Sequence, residues 1–156
     1  MNANTKIVVI DASVALKWVF NDEEAVEQAA QILNDHLTGR LAFHVPDLLG
    51  YECSNALWAA VRQGRLDENE ARTALHAMRQ IQFYWHSLPA IWDMAFKISI
   101  QHQRSFYDST YLALAQQLGV WCFTGDRRLY NALGTQLPWL RWVGDYDWVA
   151  IPTTSL

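Results

Sequence analysis

At 156 residues with 51% hydrophobic content, the chain is long enough to close one core and too apolar to stay disordered. Its formal charge of −4 argues against a surface that grips nucleic acid as a whole; with four of the 16 carboxylates set aside in a cation site, 12 acids would face 12 bases. No apolar run approaches the ~20 residues that span a bilayer, and neither repeat nor linker interrupts the chain, so a single cytoplasmic domain over residues 1–156 with no membrane contact is expected.

In chain order, "KIVVID" reads as a short buried strand, a β-branched run that ends on a carboxylate at Asp11. Ser13 is a good N-cap and starts a predicted helix over Val14 to Phe20. The next helix, "DEEAVEQAAQILNDHLTG", carries acids at its start and Gly39 at its end. "LAFHV" is a strand stopped by Pro46, and Leu48 to Gln63 is helical. "GRLDENEARTALHAMRQI" restarts a helix with Asp67 and Glu70 in capping-box spacing, which makes a helical hairpin. "QFYWHSL" reads as a short strand and "AIWDMAFKISIQHQ" as a helix. "SFYDSTYLALAQQLG" is a helix closed by Gly119, "VWCF" a strand, "TGDRRLYNALG" a turn and helix, and "LRWV" an edge strand. Strands alternating with helices predict an α/β fold, a parallel sheet covered on both faces, with ligands outside the carboxyl ends of the strands.

Cys53 and Cys122 sit 69 positions apart in apolar surroundings, without C-x-x-C spacing, and are expected as buried free thiols. The five histidines share no ligand spacing. Four acids stand apart. Asp11 follows the first strand directly, and Asp126 follows "VWCF" after Thr124 and Gly125, so both fall at the same rim. Glu52 lies about 80° from the centre of the apolar stripe formed by Leu49, Cys53, Ala56, Leu57 and Ala60, poised between core and solvent. Asp108 shares a face with Tyr111, Leu112 and Ala115. Three have a bland alternative: Glu52 as a snorkelling surface residue, Asp108 as the acid of a box with Ser105, Asp126 as an N-cap.

Packed together without a cation, four such carboxylates would raise one another's pKa at a cost to the fold, which a hard divalent ion removes. An all-oxygen set suits Mg²⁺ or Mn²⁺ rather than Zn²⁺, and such a site serves phosphate chemistry through one ion or two. Arg127 and Arg128 could contact substrate phosphates or could simply be solvated. Trp58, nearly opposite the apolar stripe of its helix, is either a contact to another protein or covered by a neighbouring helix.

The segments "VVIDASVALKW", "VPDLLGYECSNAL", "FYDSTYLALAQQLG" and "FTGDRRL", in that order over nearly the whole chain, resemble the PIN-domain ribonucleases, especially the VapC-type toxins of toxin–antitoxin pairs. The resemblance implies a single α/β/α sandwich with a central, mainly parallel sheet and an endoribonuclease that uses Mg²⁺ or Mn²⁺ to hydrolyse RNA phosphodiesters. It places the four acidic metal-binding, catalytic positions on Asp11, Glu52, Asp108 and Asp126, and the supporting hydroxyls on Ser13 and Thr124. It also implies a cognate antitoxin that masks the cleft and a homodimer. Two other functions compete. An aspartyl-phosphate enzyme would want a second aspartate where Ser13 stands. A non-catalytic PIN-like module that binds RNA or protein has no need of all four acids.

Overall fold

The computed structural model describes residues 5–153, so the ends of the expected 1–156 domain lie outside the described residues. Strand β1 (Lys6–Ile10) leads into α1 (Ala12–Leu16), α2 (Val26–Leu37), β2 (Leu41–Pro46), the hairpin α3 (Leu48–Arg62) and α4 (Glu68–Gln80), and β3 (Phe83–His86). After these come α5 (Trp92–His102), α6 (Phe106–Leu118), β4 (Trp121–Thr124), α7 (Arg127–Leu133) and β5 (Leu140–Trp142). The sheet order is β3-β2-β1-β4-β5 and every pairing is parallel. "LRWV" does become an edge, and the buried run of β1 takes the centre, where both faces are covered.

The pleat assigns the two layers, because alternate strand residues point to opposite faces. Ile7 lines a cleft with Ala115 and Leu118 of α6, whereas Phe43, in register with Val8, stacks on Trp18 and on His36 of α2. Helix α6 lies across β1, β2 and β4 and packs beside α5, giving an α/β/α sandwich. Val8, Val9, Ile10, Phe43 and Leu112 are fully buried between the layers. Truncating such a side chain to alanine typically costs ~2–5 kcal/mol.

Two helix starts differ from the expectation. The first helix is capped by Asp11, whose carboxylate accepts from Val14 N; Ser13 lies inside α1, which ends at Leu16 rather than Phe20. The second begins at Val26, because Ala25 takes a left-handed conformation (φ 61°) that breaks the helix. The three acids before it turn instead to distant cations: Asp22 to Arg65, Glu23 to Lys17 and Glu24 to Arg127. The capping box is as expected, with Glu70 N donating to Asp67 at 2.8 Å and Asp67 N to Glu70 at 2.7 Å. Gly119 closes α6 at φ 67°, a conformation that favours glycine.

Candidate active site at the carboxyl rim

From β1 the chain crosses to β2 on one flank, and β4 later pairs on the other. The carboxyl ends of β1 and β4 therefore frame the switch point at which open α/β sheets bind ligands. Asp11 sits there, 8% exposed, its backbone N–H donating to Phe123 O across the two strands at 3.1 Å.

A relay of hydroxyls joins the strand ends. Ser13 Oγ donates to Asp11 Oδ1, accepts from Gly125 N at 2.7 Å, and lies 3.4 Å from Thr124 Oγ1. Thr124 Oγ1 in turn accepts from Asp126 N at 3.0 Å. Gly125 has to be glycine for this approach, since a Cβ there would stand 2.8 Å from the Ser13 carbonyl oxygen. Both hydroxyls thus hold the turn that carries Asp126 against the turn that carries Asp11.

Two further acids arrive from helices. Glu52, on the first turns of α3, accepts a 2.6 Å hydrogen bond from the hydroxyl of Tyr111, a residue of α6 that is 3% exposed. Asp108 enters on the first turn of α6, its N–H accepted by Ser105 Oγ at 3.1 Å. The return bond from Ser105 N to the Asp108 carboxylate, which a capping box needs, is absent. Its charge acts on the other acids instead. Burial, with a smaller push from Asp108, lifts the Asp11 carboxyl above its ordinary range against hydrogen bonds from Ser13, Thr124 and Val14. Burial also lifts Glu52; the Tyr111 hydrogen bond opposes it, and the charges of Asp11 and Asp108 add to it.

Asp126 is the outlier, exposed, with Oδ1 capping α7 through Arg128 N at 2.8 Å and Leu129 N at 3.2 Å. The N-cap alternative therefore describes one of its oxygens, while the hydroxyl relay still fixes its backbone at the rim. Arg127 is committed elsewhere, paired to Glu24 with its guanidinium 4.0 Å from the centre of the Trp142 ring. Arg128 is exposed and makes no ion pair among the described residues. Trp58 is 56% exposed, so no neighbouring helix of the chain covers it, and the Arg62 guanidinium lies 5.0 Å from its ring centre. Cys53 and Cys122 are buried and free, and burial, with the charges of Glu52 and Asp11, pushes the Cys53 thiol up to about 12.

The rim suits a hard divalent cation by its chemistry. Its donors are carboxylate oxygens, and no ion pair among the described residues neutralises Asp11, Glu52, Asp108 or Asp126. No three His, Cys, Asp or Glu side chains among the described residues stand close enough to form a ready metal cage. Mg²⁺ keeps several waters and is usually bound by one or two carboxylates with substrate phosphates, so it does not require an all-protein cage.

A parallel α/β/α sheet with carboxylates gathered at its switch point defines a class of acidic-site phosphate-handling proteins. The profile described as PIN domain matches residues 8–133. Ribonuclease VapC3 of Pyrobaculum aerophilum is 33% identical over 124 residues, 78% of this chain and 91% of that protein. The crystal structure of PAE2754 from Pyrobaculum aerophilum superposes with a TM-score of 0.59 at 22% identity, covering 89% of this chain and 92% of that one. A toxin–antitoxin complex from Klebsiella pneumoniae matches with a TM-score of 0.56 at 14% identity, over 86% and 95% of the two chains. The chain belongs to the PIN domain family, in its VapC ribonuclease branch.

Proposed function

We propose that the protein is a divalent-metal-dependent endoribonuclease, the toxin of a type II toxin–antitoxin pair, with Asp11, Glu52, Asp108 and Asp126 as its catalytic, metal-binding acids. The observation that carries this reading is the convergence of Asp11, Glu52 and Asp108 at one end of one sheet, where the Asp108 charge acts on Asp11 and the charges of Asp11 and Asp108 both act on Glu52. The ribonuclease named among its relatives supports the substrate class.

What a bound Mg²⁺ or Mn²⁺ supplies is Lewis-acid polarisation of the scissile phosphate. One or two of Asp11, Glu52 and Asp108, which come from three elements, would hold the ion together with a substrate phosphate, with Asp126 at the edge of the rim. Ser13 and Thr124 orient Asp11 and the Asp126 turn, and Tyr111 fixes the rotamer of Glu52. Arg128, free of ion pairs among the described residues, would meet a backbone phosphate, a role Arg127 could take only by leaving Glu24. The enzyme would work in the cytoplasm, where its RNA is; no helix among the described residues is long and apolar enough to cross a membrane. A cognate antitoxin covering the rim and a homodimer complete the proposal, with exposed Trp58 as a contact to one of them. Equal accessibility of Trp58 in free and assembled protein would remove that contact.

The test is cleavage of structured RNAs by protein freed of antitoxin, with Mg²⁺ or Mn²⁺ against EDTA and Asp11→Asn beside wild type. Cutting should require both the metal and Asp11. Cutting that survives chelation and the substitution overturns the mechanism.

A further inference from the structure

We propose that the cleft between the first turns of α3 and α6 takes one unpaired nucleobase of the RNA, stacked against Tyr51 and Tyr107; this rests on the ribonuclease reading above. The cleft measures about 280 Å³, below the ~300–1,000 Å³ typical of sites for drug-sized ligands. Pro46, Leu48, Leu88 and Phe106 give it a largely apolar lining. Its two tyrosines are 75% and 62% exposed, which leaves both ring faces largely open to a stacking partner.

Position argues for the occupant. Tyr51 immediately precedes Glu52, and Tyr107 immediately precedes Asp108, so each tyrosine lies about 100° round the helix from an acid of the rim. A strand of RNA whose phosphate lies at that rim brings its adjacent base to the cleft. The cleft itself repels a phosphate, because Asp47 lines it and Glu52 and Asp108 flank it. A neutral planar base meets no such penalty, and single-stranded RNA is read mainly by stacking on aromatic rings. Asp47 is an acceptor when ionised, which favours a base bearing an exocyclic amino group over uracil. The Tyr111–Glu52 hydrogen bond ties α6 to α3, so the spacing between the stacking rings is set before RNA arrives.

The experiment uses a short RNA bearing the mapped cleavage site, and versions abasic at each flanking nucleotide in turn. Wild type is compared with the Tyr51→Leu/Tyr107→Leu and Tyr51→Phe/Tyr107→Phe double variants, by KM, kcat and calorimetric Mn²⁺ affinity. The Leu pair should raise KM roughly 5- to 100-fold, the loss expected per stacked base, with kcat and Mn²⁺ affinity unchanged within about twofold. The Phe pair, which keeps both rings, should restore KM. One abasic position should cost wild type the same factor and cost the Leu pair nothing more, since the two changes remove one interaction. An unchanged KM in the Leu pair, with wild type still cutting RNA, overturns the base subsite alone. A wild type that cuts no RNA overturns the ribonuclease reading and the subsite with it. A Leu pair that loses Mn²⁺ affinity along with KM, or loses antitoxin binding while KM holds, also overturns it, in favour of a structural or protein-docking role.

Discussion

The hydroxyl of Tyr111 donates a 2.6 Å hydrogen bond to the Glu52 carboxylate, joining residues 59 positions apart on two different helices. Burial and the Glu52 charge drive the Tyr111 pKa far above its ordinary value, so this tyrosine stays a donor at any working pH. Hydrogen bonds to charged groups are worth ~1.5–3 kcal/mol. Tyr111→Phe should therefore lower kcat/KM by about 10- to 100-fold while the fold persists. Single-turnover cleavage beside far-ultraviolet circular dichroism checks both halves.

Asp11→Asn should abolish cutting and yet stabilise the metal-free protein. Burial makes Asp11 bind its proton more tightly in the folded than in the unfolded chain. From the unfolded value near ~3.9 up to the raised folded value, the native state therefore holds more protons, and stability falls as pH rises. Above that window the penalty is complete; below it, absent. Asparagine keeps an oxygen to accept from Ser13 and Val14. In EDTA at pH 7 the variant should melt higher, by about 2–4 °C for each kcal/mol relieved. The gap should close towards pH 4. Mn²⁺ should raise the melting temperature of wild type more than that of the variant.

Gly125→Ala tests the hydroxyl relay through the backbone. The added methyl would meet Lys17 Cε at 2.5 Å and the Ser13 carbonyl oxygen at 2.8 Å. The lysine end can swing away but the carbonyl cannot, so a cost of ~1–3 kcal/mol is expected, with the turn bearing Asp126 displaced. Thermal melts and cleavage rates should fall together.

Arg127 and Arg128 should separate cleanly. Arg127→Ala removes the Glu24 pair and the packing on Trp142, and should lower stability while RNA affinity changes little. Arg128→Ala should leave the melting temperature unchanged and weaken RNA binding, with the slope of log affinity against log salt falling by about 0.7 for one phosphate no longer neutralised. Fluorescence anisotropy across a salt series in the Asp11→Asn background measures it.

What the sequence reveals depends on how local the cause is. The β1 run, the Asp67–Glu70 box and the Gly119 stop are written in neighbouring residues, and the structure has all three. The start of α2 is not, since Asp22, Glu23 and Glu24 look like first-turn acids until Arg65, Lys17 and Arg127 draw them into pairs. Within α1 the cap moved two residues because Asp11 serves the helix and the rim at once, leaving Ser13 free for the relay. The strand ends that carry Asp11 and Asp126 to one rim were legible as a pattern. The Tyr111–Glu52 bond was not, although a tyrosine facing inward with Asp108 signals a hydroxyl in need of a partner.

The parallel sheet also imposes an order on synthesis. Every connection is a crossover, and central β1, the first strand made, has β4 as one of its two neighbours. Asp11 leaves the ribosome early, but its N–H partner Phe123 and the Gly125 amide that donates to Ser13 come more than a hundred residues later. At ~5–20 residues per second the rim stays incomplete for several seconds of translation. The rim proposed as the active site is thus assembled only after the ribosome has passed Asp126.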